Sequence, residues 1–143
     1  AQHVVNLDMS RPALSRGRDN HRLNQHDLSQ VVFLGYDLFK SWGKVAKYGP
    51  YDLIIIDPPS FQRGSFVLSK DYPRTLRRLP ELLAANGMVL ACSNEPEIGP
   101  QYLIYAMASE APSLRFSERL SNPAEFPDSQ PDSALKALVF RHN

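Results

Sequence analysis

The residues with the most chemical content are Asp57-Pro58-Pro59-Ser60-Phe61, directly after the apolar run Leu53-Ile54-Ile55-Ile56. An acid followed by two prolines at the end of a buried strand makes a rigid polar platform. Each proline fixes its own φ and removes a backbone donor, so carbonyls are left to face a ligand. Such a platform suits a group transfer whose donor is already activated, such as methyl transfer from a sulfonium. The protein's task is then to hold the acceptor in line. The Pro58 carbonyl can hold an amine or ring-edge N–H, and Asp57 can orient the acceptor or take up a proton. Phe61 can stack on a flat base, a contact worth about 1–3 kcal/mol in single-strand recognition. The plainer alternative is a proline-rich turn with Phe61 as a core plug.

Two further acids follow predicted strands. Asp8 ends the β-prone run His3 to Leu7, and Asp37 comes shortly after Val31 to Leu34. A carboxylate at the first position can accept the hydroxyls of a ribose. One at the second can accept from an adenine amine. Each alone reads equally well as a helix cap. Together, one strand apart on one rim, they read as an adenosine site.

Cys92 invites a nucleophile hypothesis, but it continues the apolar run Met88-Val89-Leu90-Ala91, and a free cysteine there is most often a small core residue. Ser93-Asn94, just beyond, suits an acceptor pocket better. His3, His21, His26 and His142 have no metal-ligand spacing, so no metal is expected. His21 and His26 read as surface or packing residues.

These residues need elements to position them. Ser10 can cap a helix with Pro12 in its first turn, running to Leu23. A weaker helix is expected over 37–48, stopped by Gly49-Pro50. Leu53 to Ile56 reads as a strand with both faces covered. After a loop over 58–70, Asp71 should cap a helix that carries Leu76, Leu79, Leu82 and Leu83. Pro80 should kink this helix and Asn86-Gly87 should stop it. Met88 to Cys92 is another strand, Pro100 to Ser109 a helix, and Leu114 to Leu120 and Ala134 to Arg141 the last strands. Between these, Pro123, Pro127 and Pro131 mark a long loop. Strands alternating with helices imply an open α/β sheet, mostly parallel, with its ligand site at the strands' carboxyl ends.

At 143 residues with 43% apolar and 22% charged side chains, the chain suits one globular domain. No apolar run approaches the roughly 18 residues that would span a bilayer, so no membrane partner is expected. The one cysteine excludes an internal disulfide and fits a reducing cytoplasm. A net charge of +1 is not that of a domain gripping nucleic acid by charge alone. The basic groups Arg11, Arg16, Arg18, Arg22 and Lys70, Arg74, Arg77, Arg78 are RNA contacts or solvated helix faces.

With these residues in view, the sequence resembles the class I S-adenosylmethionine-dependent methyltransferases related to bacterial 23S ribosomal RNA large-subunit methyltransferases. The likeness rests on Asn6-Leu7-Asp8-Met9-Ser10 and Asn20-His21-Arg22-Leu23-Asn24. It continues through Tyr51 to Phe61, Lys70-Asp71-Tyr72, Asn86 to Leu90 and Ser93-Asn94, covering nearly the whole chain. The resemblance implies a Rossmann-like α/β sheet, mostly parallel with an antiparallel C-terminal strand. It implies S-adenosyl-L-methionine as cofactor and ribosomal RNA as partner, with the oligomeric state open, a dimer included. Asp8 would hold the cofactor ribose, Met9 would pack beside the adenine and Asp37 would meet its amine. Asp57, Pro58 and Pro59 would line the transfer site, Asp57 also touching the cofactor, and Phe61 would meet the acceptor base. Asn94 stands where some relatives that methylate cytosine carbon have a cysteine, which favours nitrogen methylation, with guanine a candidate base.

The family opens its catalytic domain with a strand and a glycine-rich loop around the cofactor's methionine end. No Gly-x-Gly-x-Gly occurs in these residues. The expectation is a partial catalytic domain over 1–143, with the first strand missing and weak or no cofactor binding by itself. Two other readings remain open. A nucleotide-binding module or nicotinamide oxidoreductase also places an acid after its second strand, but gives no reason for Asp-Pro-Pro-Ser-Phe. A non-catalytic protein that keeps the fold is the other.

Overall fold

A computed structural model describes residues 1–59, 61–62, 66–130 and 132–142; the side chains of Phe61 and Gln62 are not among the described groups. The chain forms two compact units, Ala1–Gly49 and Pro50–Asn143.

The first unit holds β1 (Val4–Leu7), α1 (Arg11–Leu23), β2 (Val31–Leu34) and α2 (Trp42–Ala46). β1 and β2 pair in parallel, Val4 opposite Val31 through Leu7 opposite Leu34. The Asp8 N–H donates to the Leu34 carbonyl at 3.1 Å, extending the ladder to the acid. Ser10 caps α1, its Oγ accepting the Ala13 N–H at 3.3 Å, and Pro12 sits in the first turn, where its missing N–H costs nothing. Just past this helix Gln25 adopts a left-handed φ of 56°, a position glycine usually fills.

The second unit contains β3 (Tyr51–Ile56), β4 (Phe61–Gln62), β5 (Phe66–Val67), α3 (Leu68–Leu76), β6 (Leu83–Ser93), α4 (Pro100–Glu110), β7 (Leu114–Arg119) and β8 (Lys136–His142). Its main sheet has the order β3-β6-β8-β7. β3 and β6 are parallel, whereas β8 runs antiparallel to both β6 and β7. The mostly parallel sheet with an antiparallel last strand thus matches the expectation. Tyr72, Leu76, Leu103, Met107, Leu138 and Phe140 are essentially inaccessible to solvent and come from α3, α4 and β8. Each such side chain contributes about 1.5–3 kcal/mol by burial.

Five local expectations need correction. The helix over 37–48 is a single 3-10 turn, Leu38–Lys40, followed by the five-residue α2. Asp37 caps the turn, and Gly43 and β-branched Val45 give α2 little intrinsic support. The helix expected to begin at Asp71 begins at Leu68 instead. Asp71 lies in its first turn and reaches back, its Oδ2 accepting the Val67 N–H at 2.9 Å. Leu79 and Leu82 lie in turns after α3 and Leu83 already belongs to β6, so Pro80 kinks nothing. The proline inside the helix is Pro73, which cannot donate to Ser69. That carbonyl accepts the Tyr102 hydroxyl at 3.3 Å.

Asn86-Gly87 does not stop a helix but lies within β6. The register passes from Tyr51 opposite Leu83 to Leu53 opposite Met88, so β6 carries extra residues there. A Cβ on Gly87 would meet the Tyr51 carbonyl oxygen at 2.8 Å, which explains the glycine. Lastly, β3 is not covered on both faces within the described unit: Leu53 is 47% and Ile55 61% exposed, whereas Ile56 is buried.

Candidate active site

Parallel pairing of β3 with β6 brings two strand ends together. Ile56 lies opposite Ala91, so Asp57 and Cys92 are the next residues on adjacent strands. Asp57 and Pro59 are exposed and Pro58 is half-buried, so the acid and its rigid neighbours face outward. Asn94 is exposed one residue beyond the end of β6. Asp57, Pro58, Pro59 and Asn94 therefore share the carboxyl edge of two paired parallel strands. Phe61 pairs through its backbone with Val67 in the small β4–β5 hairpin. Its base-stacking role, and Ser60, lie outside the described groups.

The floor of this edge is apolar and neutral. Burial, aided by the Asp57 carboxylate, pushes the Cys92 thiol up to about 11. Burial first, then the charges of Cys92 and Asp57, raises the Tyr72 phenol well above its ordinary value of 10.0. The Tyr72 hydroxyl donates to the Cys92 carbonyl at 3.0 Å. A buried thiol held protonated is a poor nucleophile, which agrees with reading Cys92 as a core residue.

The turn after β6 is tied from two directions. The Ser93 Oγ accepts the Glu95 N–H at 3.3 Å. The Lys136 Nζ donates to the Glu95 carbonyl at 2.6 Å. Neither Tyr72 nor Lys136 was singled out as a site residue from the sequence. Tyr72 stood within a matching motif, but Lys136 had no signal, because a lone lysine heading a strand is ordinarily solvated.

In the first unit, Asp8 and Asp37 stand just past β1 and β2. Both act as local caps. The Asp8 Oδ1 accepts the Ser10 N–H at 2.7 Å, and the Asp37 Oδ1 accepts the Phe39 N–H at 2.9 Å. The second oxygen of Asp37 faces Lys40 at 3.8 Å across an exposed ammonium, a weak pair. The second oxygen of Asp8 accepts no hydrogen bond among the described residues. Met9, beside it, is 44% exposed. An exposed carboxylate with a spare oxygen next to an exposed apolar side chain fits the ribose and base of an adenosine. Capping occupies only one Asp8 oxygen, so the cap reading and the ligand reading are compatible.

The basic groups divide. Arg74, Arg77 and Arg78 pair with Asp71, Glu110 and Glu81, and Arg22 with Asp19, so much of the positive charge is locally balanced. The Arg18 guanidinium lies 4.7 Å from the Phe33 ring centre. His21 stands edge-on to the same ring at 6.0 Å, as a packing residue would. Among the described residues no three His, Cys, Asp or Glu side chains gather as metal ligands, and no helix is long and apolar enough to cross a membrane.

A family model described as S-adenosylmethionine-dependent methyltransferase matches residues 1–141. Ribosomal RNA large subunit methyltransferase I of Aeromonas salmonicida (strain A449) is 30% identical over 99% of the chain, which spans 38% of that protein. Ribosomal RNA large subunit methyltransferase K/L of Legionella pneumophila (strain Corby) is 34% identical over 71% of the chain and 16% of its own length. The crystal structure of SMU.776 complexed with SAH superposes with a TM-score of 0.87 at 23% identity, covering 99% of this chain and 39% of the other. The SAM-dependent methyltransferase from Agrobacterium tumefaciens gives 0.70 at 19% identity, covering 98% and 48%. Both structural likenesses speak for the fold.

Proposed function

Because the chain belongs to the S-adenosylmethionine-dependent methyltransferase family, we propose that it supplies the acceptor side and the adenosine-binding residues of an enzyme that methylates a base of ribosomal RNA. The observation that carries this reading is Asp57-Pro58-Pro59 at the carboxyl edge of β3, beside the end of β6. When bound, S-adenosyl-L-methionine supplies a methyl group already activated on a sulfonium. The chain's own residues have two tasks. Asp8, Met9 and Asp37 hold ribose and adenine, Asp8 through the oxygen its cap leaves spare. Asp57, with the Pro58 carbonyl and the proline-stiffened backbone of Pro59, orients a ring nitrogen or amine of the acceptor and takes up its proton. Phe61 stacks on the base and Asn94 reads its edge. Cys92, buried and protonated, takes no covalent part, which favours nitrogen over carbon as the methylated atom. RNA is the partner, as the names of the two rRNA methyltransferase relatives suggest, and the cytoplasm is the compartment that fits one buried free cysteine.

The reading includes a further strand and glycine-rich loop, supplied from outside residues 1–143. β3 pairs on one edge only among the described residues, as a strand awaiting a neighbour would, and the exposed Leu53 and Ile55 leave one of its faces open to a covering layer. The deciding experiment is radiolabelled methyl transfer to ribosomal RNA from cells lacking the gene, with the full-length protein and its Asp57→Ala variant. Label in RNA, lost by roughly a hundredfold or more in the variant, supports the reading. Label in protein but not RNA overturns the substrate assignment.

A further inference from the structure

Lys136 opens β8 directly opposite Ser93, the last residue of β6, and is 0% exposed. A fully buried lysine is unusual, and an ammonium out of water is costly unless it is bonded. Its Nζ makes a 2.6 Å bond, not to a carboxylate but to the Glu95 backbone carbonyl, 41 residues away in sequence. The adjoining Glu95 N–H is held by the Ser93 Oγ at 3.3 Å, and Ser93 itself is buried. The Glu95 backbone is therefore held on both its donor and acceptor sides, its carbonyl also accepting the Ile98 N–H at 3.2 Å, and Asn94, exposed, lies between Ser93 and Glu95.

Stability alone gives no reason for a lysine there. A buried ion commonly adds less to stability than an apolar side chain of similar volume. Burial and the Arg119 guanidinium lower the Lys136 pKa, and the Glu95 and Asp132 carboxylates oppose that shift. The arrangement keeps a solvent-shielded donor on a turn carbonyl.

Resting on the reading of Asn94 as an acceptor contact, we infer that Lys136 is a positioning residue: its buried Nζ clamps the Ser93-Asn94-Glu95 turn so that Asn94 is presented in one geometry to the acceptor base. Its effect travels through the Glu95 carbonyl, and it touches no substrate.

The test uses the full-length protein with Lys136→Met, which keeps an apolar stem and removes the donor, and Lys136→Arg, which keeps one. In Lys136→Met, amide hydrogen exchange at Asn94 and Glu95 should quicken by about tenfold or more, with Ile54 and Ile55 unchanged. S-adenosylhomocysteine affinity should stay within roughly threefold, while kcat for methyl transfer falls by about tenfold and KM for RNA changes less. Lys136→Arg should recover part of the loss. Unchanged exchange at Asn94 and Glu95, or unchanged kcat, overturns the inference. If Lys136→Met fails to fold, the wild-type ammonium decides by NMR: slowly exchanging Nζ protons support the clamp, and exchange as fast as an exposed lysine's overturns it. A wild-type protein that methylates no RNA overturns the functional reading instead, and the exchange measurements still judge the clamp.

Discussion

The Tyr72 hydroxyl, on α3, donates to the Cys92 carbonyl at 3.0 Å, 20 residues on in sequence, which ties the helix after the proline platform to the strand that ends beside it. Both residues are buried. Removing the hydroxyl leaves that contact unmade where water cannot replace it. Tyr72→Phe should therefore cost about 1–2 kcal/mol, read as a lower urea midpoint with an unchanged m-value.

Cys92 should behave as a core residue. With its thiol pushed up to about 11, it stays protonated at neutral pH and should react with a disulfide reagent only as fast as the protein unfolds. Cys92→Ala should keep methyl-transfer activity within roughly threefold, a covalent nucleophile being worth orders of magnitude more. The sign of the pH effect follows. Above the ordinary thiol value of 9.0 the unfolded chain loses a proton that the folded chain keeps. The stability this group contributes is thus complete below that value and lost as pH rises through about 11.

Asp71 should show the opposite dependence. The Val67 N–H, and then Arg74 at 2.7 Å, hold its carboxyl below the ordinary 3.8 against the opposing effect of burial. Its contribution is complete above 3.8 and lost as pH falls through the lower folded value. Asp71→Ala should cost about 2 kcal/mol at pH 7. The gap to the wild type should close in acid, as followed by thermal unfolding across pH.

Gly87→Ala should destabilise by about 1–3 kcal/mol. The added Cβ would meet two backbone oxygens, of Tyr51 at 2.8 Å and Ala84 at 3.0 Å. A backbone pinned by strand pairing cannot turn aside as a side chain can. Denaturant unfolding would detect this; an unchanged midpoint would show that β6 relaxes there.

Legibility in the sequence varied with how local the cause was. The start of α1 was readable because Ser10 and Pro12 act within a few residues of themselves. The turn at Asp37 was misjudged as a longer helix, since a capping acid marks where a helix starts but not how far it runs. The boundary between α3 and β6 was also misplaced. Leu76, Leu79, Leu82 and Leu83 have helical spacing, yet all four face the core from three different local structures.

For the candidate site, local sequence pointed to Asp8, Asp37, Asp57, the two prolines and Asn94 as residues at strand ends, and the structure places each of them just past a strand. That Asp57 neighbours Cys92, and that Lys136 reaches Glu95, was decided only in three dimensions. Strand pairing and register join residues tens of positions apart. No short-range pattern encodes which lysine will be buried, because its burial depends on what the rest of the sheet places around it.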